Sequence, residues 1–81
     1  MKVYELHKID KERKVNTSEL YLDILDAKEE MWNKIEFQRK IRNGLLITEV
    51  SDVLVLLSEQ KEIGGKVREV ITYAIEERKV H

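Results

Sequence analysis

The sequence contains no cysteine and no proline among its 81 residues. Without cysteine the chain has no disulfide and no thiolate ligand, and nothing in it indicates an oxidising compartment. It has no run of apolar residues long enough to span a bilayer and no recognisable signal peptide. We therefore expect a cytoplasmic protein that does not enter a membrane.

The chain also lacks an excess of charge of either sign. Charged residues make up 38% of it, but the net charge is −1, which argues against a strong electrostatic attraction to nucleic acid. Apolar residues make up 42%, too many for a disordered chain with this charge balance. We expect one small folded domain. Because so short a chain buries a limited core, association between chains is one way to complete that core.

Helical spacing is the clearest periodic signal. One stripe recurs at this spacing and is apolar except for its last member: Leu20, Ile24, Ala27, Met31, Ile35 and Gln38. Asn16 and Glu19 resemble a capping box at its start. The sequence "RNG" at 42–44 is typical of a helix C-terminus with Gly44 in the left-handed conformation. The pattern predicts one long helix over about 17–42.

Two further helices are predicted downstream. The second begins near Ile47 or Thr48 and is apolar most of the way round, although a strand over 53–57 is the competing interpretation of its apolar run. "IGG" at 63–65 ends it, and a third helix begins at about Lys66. Residues 1–15 predict a short strand or extended arm, with "DKERK" as a polar turn.

These elements predict an all-α protein. Its expected architecture is an antiparallel bundle of about three helices, with an N-terminal arm over 1–15 and a helical domain over 16–81. The middle helix carries more apolar surface than two neighbours in one chain can cover. We therefore expect a homodimer in which the middle helices pack around a two-fold axis.

The stretch "TEVSDVLVLL" places two carboxylates, Glu49 and Asp52, directly before five apolar residues. Four acid-x-x-acid pairs occur in the chain, and on a helix most such pairs are solvated surface. This one is distinguished by its place in the most apolar segment. Paired carboxylates suit a hard cation such as Mg²⁺. Acids on the preceding helix, Asp26, Glu29 and Glu30, would face the pair across a helical hairpin.

The segment "EVSDVLVLL" at 49–57 resembles the E-x-x-D helix of the all-α nucleoside triphosphate pyrophosphohydrolases, the MazG-like superfamily. "EEMWN" at 29–33 stands where that family has its E-E-x-x-E motif, and the tail "YAIEERKVH" is similar to the last helix of phage and bacterial members. The resemblance implies hydrolysis of a nucleotide between its α and β phosphates. The implied Mg²⁺ ligands are Glu29, Glu30, Glu49 and Asp52. Independently of the resemblance, Lys66, Arg68, Arg78 and Lys79 could reach phosphates, although most of them are expected on the solvated side of the third helix. Of these, Arg78 and Lys79 are the predicted nucleotide contacts.

Asn33 stands where the family has the last acid of its first motif. An amide oxygen can ligate a cation but brings no charge, so an inactive or repurposed member stays open. Two alternatives without catalysis also stay open. One is a DNA-binding regulator of ribbon-helix-helix type, ranked lower because its strand would carry no Lys or Arg. The other is a small dimeric helical adaptor.

The single tryptophan and the two histidines each have an ordinary structural interpretation beside a functional one. Trp32 could stack on a base, but a lone Trp beside an apolar helix stripe is more often partly buried core or dimer interface. His7 and His81 lack the spacing of metal ligands and are expected on the surface.

Overall fold

The computed structural model describes residues 1–60 and 67–80. Within them the chain forms two strands, one helix and three further strands. In chain order these are β1 (Lys2–Asp10), β2 (Val15–Tyr21), α1 (Ile24–Ile41), β3 (Leu45–Ser51), β4 (Leu54–Gln60) and β5 (Val67–Lys79).

The strands form one antiparallel sheet in the order β2-β1-β5-β4-β3. Its centre is the ladder between β1 and β5, which runs from Lys2 opposite Lys79 to Asp10 opposite Ile71. The hairpin β1–β2 lies on one side of that ladder and the hairpin β3–β4 on the other. The first and last strands of the chain are therefore neighbours in the middle of the sheet.

Strand β5 follows the two-residue period of a sheet with one buried face. Its residues Ile71, Tyr73 and Ile75 belong to the core, whereas Thr72 and Ala74 point to the other side of the sheet. A β-bulge interrupts this alternation between β4 and β5, where Val70 is the extra residue. Because a bulge turns two consecutive side chains the same way, Val70 joins Ile71 in the core.

Local polar contacts define the turns. The Asp10 carboxylate accepts hydrogen bonds from the backbone N–H groups of Glu12 and Arg13, at 3.1 and 3.0 Å, which closes the β1–β2 turn. The Asp23 carboxylate accepts from the N–H of Leu25 at 2.8 Å and caps α1. Past the helix, Gly44 has φ +79°, a conformation that glycine adopts without steric cost.

The helix lies across one face of the sheet, which we call the helix side. Its buried residues are Ala27, Met31, Ile35 and Gln38. The first three pack with the inward side chains of the sheet, namely Leu6, Val55, Leu57, Val70, Ile71, Tyr73 and Ile75. No described element covers the opposite face, which we call the open side.

The prediction of an all-α bundle is wrong. The predicted second helix is the hairpin β3–β4, and the competing strand over 53–57 is close to the observed β4. The predicted third helix is β5 as far as it lies in the described residues. The predicted break at 63–65 and the start at Lys66 lie outside the described residues. Of the two alternatives for residues 1–15, the structure has the strand and not the arm, because residues 2–10 form an interior strand.

The first predicted helix is half right. Its stripe from Ala27 to Gln38 is buried and its end near Ile41 is confirmed, as is the left-handed Gly44. Its start is wrong because residues 15–21 form β2, so Asp23 caps the helix and the predicted capping box lies in a strand. Trp32 is partly buried against the core, as its ordinary structural interpretation predicts.

None of the helices within 1–60 and 67–80 has the length and apolar character needed to cross a membrane.

Two isoleucines of α1 test the orientation of the helix. Ile35 is fully buried, whereas Ile41 is 56% exposed at the helix end. We expect Ile35→Ala to lower the free energy of unfolding by about 2–5 kcal/mol, because it leaves a cavity in the core. The matched change Ile41→Ala should stay within about 0.5 kcal/mol of the wild type. Urea unfolding followed by circular dichroism measures both, and equal losses would contradict this packing.

Candidate functional site

A cleft opens between the second half of α1 and the strands β1 and β2. It encloses about 480 Å³. We call it the Tyr73 cleft, and its walls come from four elements: Lys8 of β1, Thr17 and Glu19 of β2, Tyr73 of β5, and Glu30, Asn33, Lys34, Phe37 and Gln38 of α1.

Strand register explains how the sheet contributes to this cleft. Thr17 lies opposite Lys8 in the β1–β2 ladder, and Lys8 lies opposite Tyr73 in the β1–β5 ladder. Residues that are directly opposite in a ladder share a face of the sheet. The three side chains therefore form one row across the helix side.

The floor of the cleft holds a buried hydroxyl. Tyr73 is fully buried, and among the described residues its hydroxyl oxygen has no hydrogen-bond partner. Burial raises the pKa of Tyr73 to about 12. The Asp10 carboxylate adds to that rise, and the neighbouring Gln38 side chain opposes it. The hydroxyl is thus neutral at physiological pH and buried, with the Gln38 side chain as its polar neighbour.

The walls of the cleft carry balanced charge. Lys34 of α1 contacts Glu19 of β2 at 2.8 Å and Glu30 of its own helix at 3.8 Å. The Tyr21 hydroxyl donates to the same Glu19 carboxylate at 2.6 Å. The Lys34 ammonium, helped by Tyr21, holds the pKa of Glu19 below its usual value. Lys8 makes no ion pair within the described residues.

Phe37 supplies the main apolar surface at the cleft. It is the one phenylalanine in the chain, and its side chain on α1 is 59% exposed. An aromatic ring left in water beside a polar cleft provides a flat surface against which a bound molecule can pack.

The acids predicted as magnesium ligands lie in different places. Glu30 lines the Tyr73 cleft and Glu29 is exposed on α1. Glu49 lies on the edge strand β3, opposite Val55, and Asp52 follows in the turn. Among the described residues no three His, Asp or Glu side chains form a group that could hold a metal ion. The described residues therefore do not bring the predicted ligands into one such group, and Mg²⁺ binding stays a prediction.

Asp52 has a different partner. Its carboxylate contacts the Lys28 ammonium of α1 at 2.8 Å, which holds the pKa of Asp52 below its usual value. The contact links the β3–β4 turn to the helix. Since Asp52 is largely exposed, the pair adds little to stability.

The predicted phosphate contacts lie near the end of β5. The Arg78 guanidinium contacts Glu5 at 2.8 Å, so this residue is already paired, and Lys79 is exposed opposite Lys2. Glu5 also belongs to an ion cluster on the open side, where His7 Nε2 lies 3.2 Å from Glu5 and 3.1 Å from Glu76. His7 is half-buried within this cluster and not a plain surface residue.

Sequence reasoning missed Tyr73, Lys8 and Phe37 as site residues. One signal was present: Gln38 is the polar member of an otherwise apolar stripe, and it is buried at the cleft. The alternation Ile71, Tyr73, Ile75 was a second signal, since it fits a strand at least as well as a helix.

No protein-family model matches this sequence, and no curated protein or solved structure is significantly similar to it. The resemblance to the pyrophosphohydrolases is therefore untested by these comparisons, and the helical hairpin on which it depends is absent from the described residues.

Replacing the buried tyrosine tests the free hydroxyl. We expect Tyr73→Phe to leave the free energy of unfolding unchanged or to raise it by about 1 kcal/mol, because an unpaired buried hydroxyl costs free energy. The matched change Tyr21→Phe removes a hydrogen bond to Glu19 and should lower it by about 0.5–1.5 kcal/mol. Urea unfolding at neutral pH measures both. A loss above about 1 kcal/mol in Tyr73→Phe would show that the hydroxyl is paired.

Alkaline pH should destabilise the protein partly through the same residue, and Tyr21, whose pKa is also raised by burial and by Glu19, adds to the effect. Below pH 10 Tyr73 is protonated in the folded and unfolded states, so its contribution is fully present. Between about pH 10 and 12 only the unfolded state ionises, which lowers the free energy of unfolding by up to about 3 kcal/mol. Denaturant unfolding at a series of pH values should show this fall in the wild type. Tyr73→Phe should show a shallower one, and identical slopes would contradict the raised pKa.

Proposed function

We propose that this protein is a binding domain whose Tyr73 cleft takes a small polar molecule without net charge, either neutral or zwitterionic. The observation that carries the proposal is the buried Tyr73 hydroxyl, which has no partner in the described residues and lies at the floor of an open cleft.

The hydroxyl favours a polar ligand. Buried polar groups in folded proteins are almost always hydrogen-bonded, and leaving one unpaired costs about 1–3 kcal/mol. A ligand atom that pairs with Tyr73 removes this cost as it binds. Folding has already removed water from that hydroxyl. A ligand that forms a hydrogen bond with it therefore does not have to desolvate it again.

The charges favour a ligand without net charge. Two lysines and two glutamates line the cleft, so their formal charges cancel. Neither a phosphate nor a polycation would gain much long-range attraction there. A zwitterion could place its anionic group at Lys8 and its cationic group toward Glu19 or Glu30.

Size and shape fit the same class. About 480 Å³ lies within the usual range of small-molecule sites, roughly 300–1,000 Å³. Phe37 offers an apolar surface, and Thr17, Asn33 and Gln38 offer neutral hydrogen-bonding groups. This mixture of one aromatic surface and a few polar groups is typical of sites that fix a ligand's orientation.

The ionisation of Glu19 favours binding over proton transfer at this carboxylate. A general base works best when its pKa lies near the working pH. Glu19 has its pKa lowered by Lys34 and Tyr21, so it stays ionised and is a weak base at neutral pH. Its role in the cleft is better explained as an ion-pair partner that joins α1 to β2.

A ligand screen tests the proposal. Pools of amino acids, nucleosides and monosaccharides are added to the ¹⁵N-labelled protein, with inorganic phosphate and nucleoside triphosphates as charged comparisons. We expect a member of the uncharged or zwitterionic pools to shift amide resonances of Lys8, Thr17 and Phe37. Shifts caused only by the triphosphates, or no shift at these positions, would contradict the proposal.

The same ligand is then titrated against variants. Tyr73→Phe should weaken its binding by about tenfold or more, because it removes one buried hydrogen bond. Tyr4→Phe is the matched control, since Tyr4 lies on the helix side but does not line the cleft. Equal affinity in the wild type and Tyr73→Phe would show that the ligand binds without the hydroxyl.

A further inference from the structure

The open side of the sheet is not uniformly polar. Around β1 and β5 it carries Glu5, Glu76 and Arg78 together with His7, and Glu69 lies on the same side opposite Ser58, where its carboxylate accepts a hydrogen bond from Thr72. Across β3 and β4 it carries no charge and several apolar side chains. We call this second region the open-side patch, and its apolar members are Ile9, Leu46, Leu54, Leu56 and Ala74.

The register fixes this patch as one continuous surface. Ile9 lies opposite Thr72, Thr72 opposite Leu56, and Leu56 opposite Thr48, so this row crosses four strands. The adjacent rows add Leu54 beside Ala74 and Leu46 beside Ser58. Because opposite and alternate residues share a face, these side chains all point away from α1.

Strand β4 makes the patch unusual. An antiparallel sheet with one solvated face normally alternates apolar and polar residues along each strand. In β4, Val55 and Leu57 fill the core, yet Leu54 and Leu56 on the other face are also apolar. Both are only half-buried, Leu46 is 43% exposed and Ile9 is 38% exposed. A strand that is apolar on both faces fits a sheet covered on both faces.

The chain exposes more surface than a compact monomer of its mass. Its accessible surface is 5842 Å², whereas a folded monomer of 9.6 kDa exposes about 5,100 Å². The excess of about 750 Å² goes with an elongated shape, since the principal extents of the molecule are 50 × 21 × 20 Å. The radius of gyration, 13.8 Å, likewise exceeds the roughly 11.7 Å of a compact domain of this length.

From these observations we infer that the open-side patch is the contact surface for a second copy of this chain, with the two sheets packed face to face across a two-fold axis. The apolar members of the patch carry no charge and can pack against the same side chains of a second copy, as a two-fold interface requires, while Glu69 and its partner Lys11 lie at the margin. A nucleic acid or an anionic membrane would instead need basic residues there, and none of the patch residues is basic. The net charge of −1 leaves little repulsion between copies.

Molar mass in solution, measured by sedimentation and by light scattering after gel filtration, tests this inference on the full chain. At about 100 μM the wild type should have twice the mass of one chain, because interfaces of standard size bind at micromolar affinity or better. A monomer at this concentration would overturn the inference.

Two charge insertions locate the contact. Leu46→Glu on β3 and Ile9→Glu on β1 stand on opposite sides of the patch, and both residues are exposed enough to tolerate the change in a folded monomer. Each should abolish the dimer, because each buries an unpaired charge in the contact. Loss in Leu46→Glu only would overturn face-to-face packing in favour of pairing through the β3 edge.

Leu25→Glu is the matched control. Leu25 is 68% exposed on α1, on the other side of the sheet, so this variant should stay dimeric. Circular dichroism confirms that each variant is folded. A dimer that survives in both patch variants, or that is lost equally in Leu25→Glu, would overturn the proposed surface.

Discussion

The pairing of β1 with β5 is the constraint on which the rest of the structure depends. This ladder joins the two ends of the chain over nine residue pairs, from Lys2 opposite Lys79 to Asp10 opposite Ile71. It brings Lys8 next to Tyr73 on one face and Ile9 next to Thr72 on the other. The cleft and the open-side patch therefore both exist only after the most distant parts of the chain have met. Closing a loop over such a separation lowers the entropy of the chain, and only the contacts of the completed sheet offset this loss.

The sequence predicts what is local in this fold and misses what is long-range. The buried stripe of α1, its end near Ile41, the left-handed Gly44 and the "DKERK" turn all follow from contacts within a few residues, and the structure confirms them. The strands β1 and β5 depend on partners more than sixty residues away. In β5 the apolar residues are also spaced at three and four, as in Val67, Val70, Ile71 and Ala74, so periodicity favoured a helix there. In β1 no helical stripe is present, and a short strand was one of the two alternatives. The bulge at Val70 created part of that misleading spacing by placing two consecutive residues in the core.

The stretch "TEVSDVLVLL" shows the same effect at one site. Read as a helix, it places Glu49 and Asp52 side by side and suggests a metal site. Folded as a hairpin, it places Glu49 on the edge strand and Asp52 in the turn, where Lys28 binds it. The five apolar residues that follow no longer fill a helix buried on all sides. Three of them, Val53, Val55 and Leu57, pack on the helix side. The other two lie on the open side, where the apolar character that the sequence displays still lacks a partner within the described chain.

The alternation of β5 separates the two proposed sites. Tyr73 points to the helix side and forms the floor of the cleft, whereas its neighbours Thr72 and Ala74 point to the open side and belong to the patch rows. One strand thus contributes to both surfaces through successive residues, yet the sheet itself lies between them. A ligand in the cleft and a second chain on the open side can be present together without steric conflict. A substitution at Ile9 or Leu46 leaves the lining of the cleft unchanged, and Tyr73→Phe leaves the patch unchanged. The strand period that was hidden in the sequence therefore places the proposed ligand site and the proposed contact surface on opposite faces of the sheet.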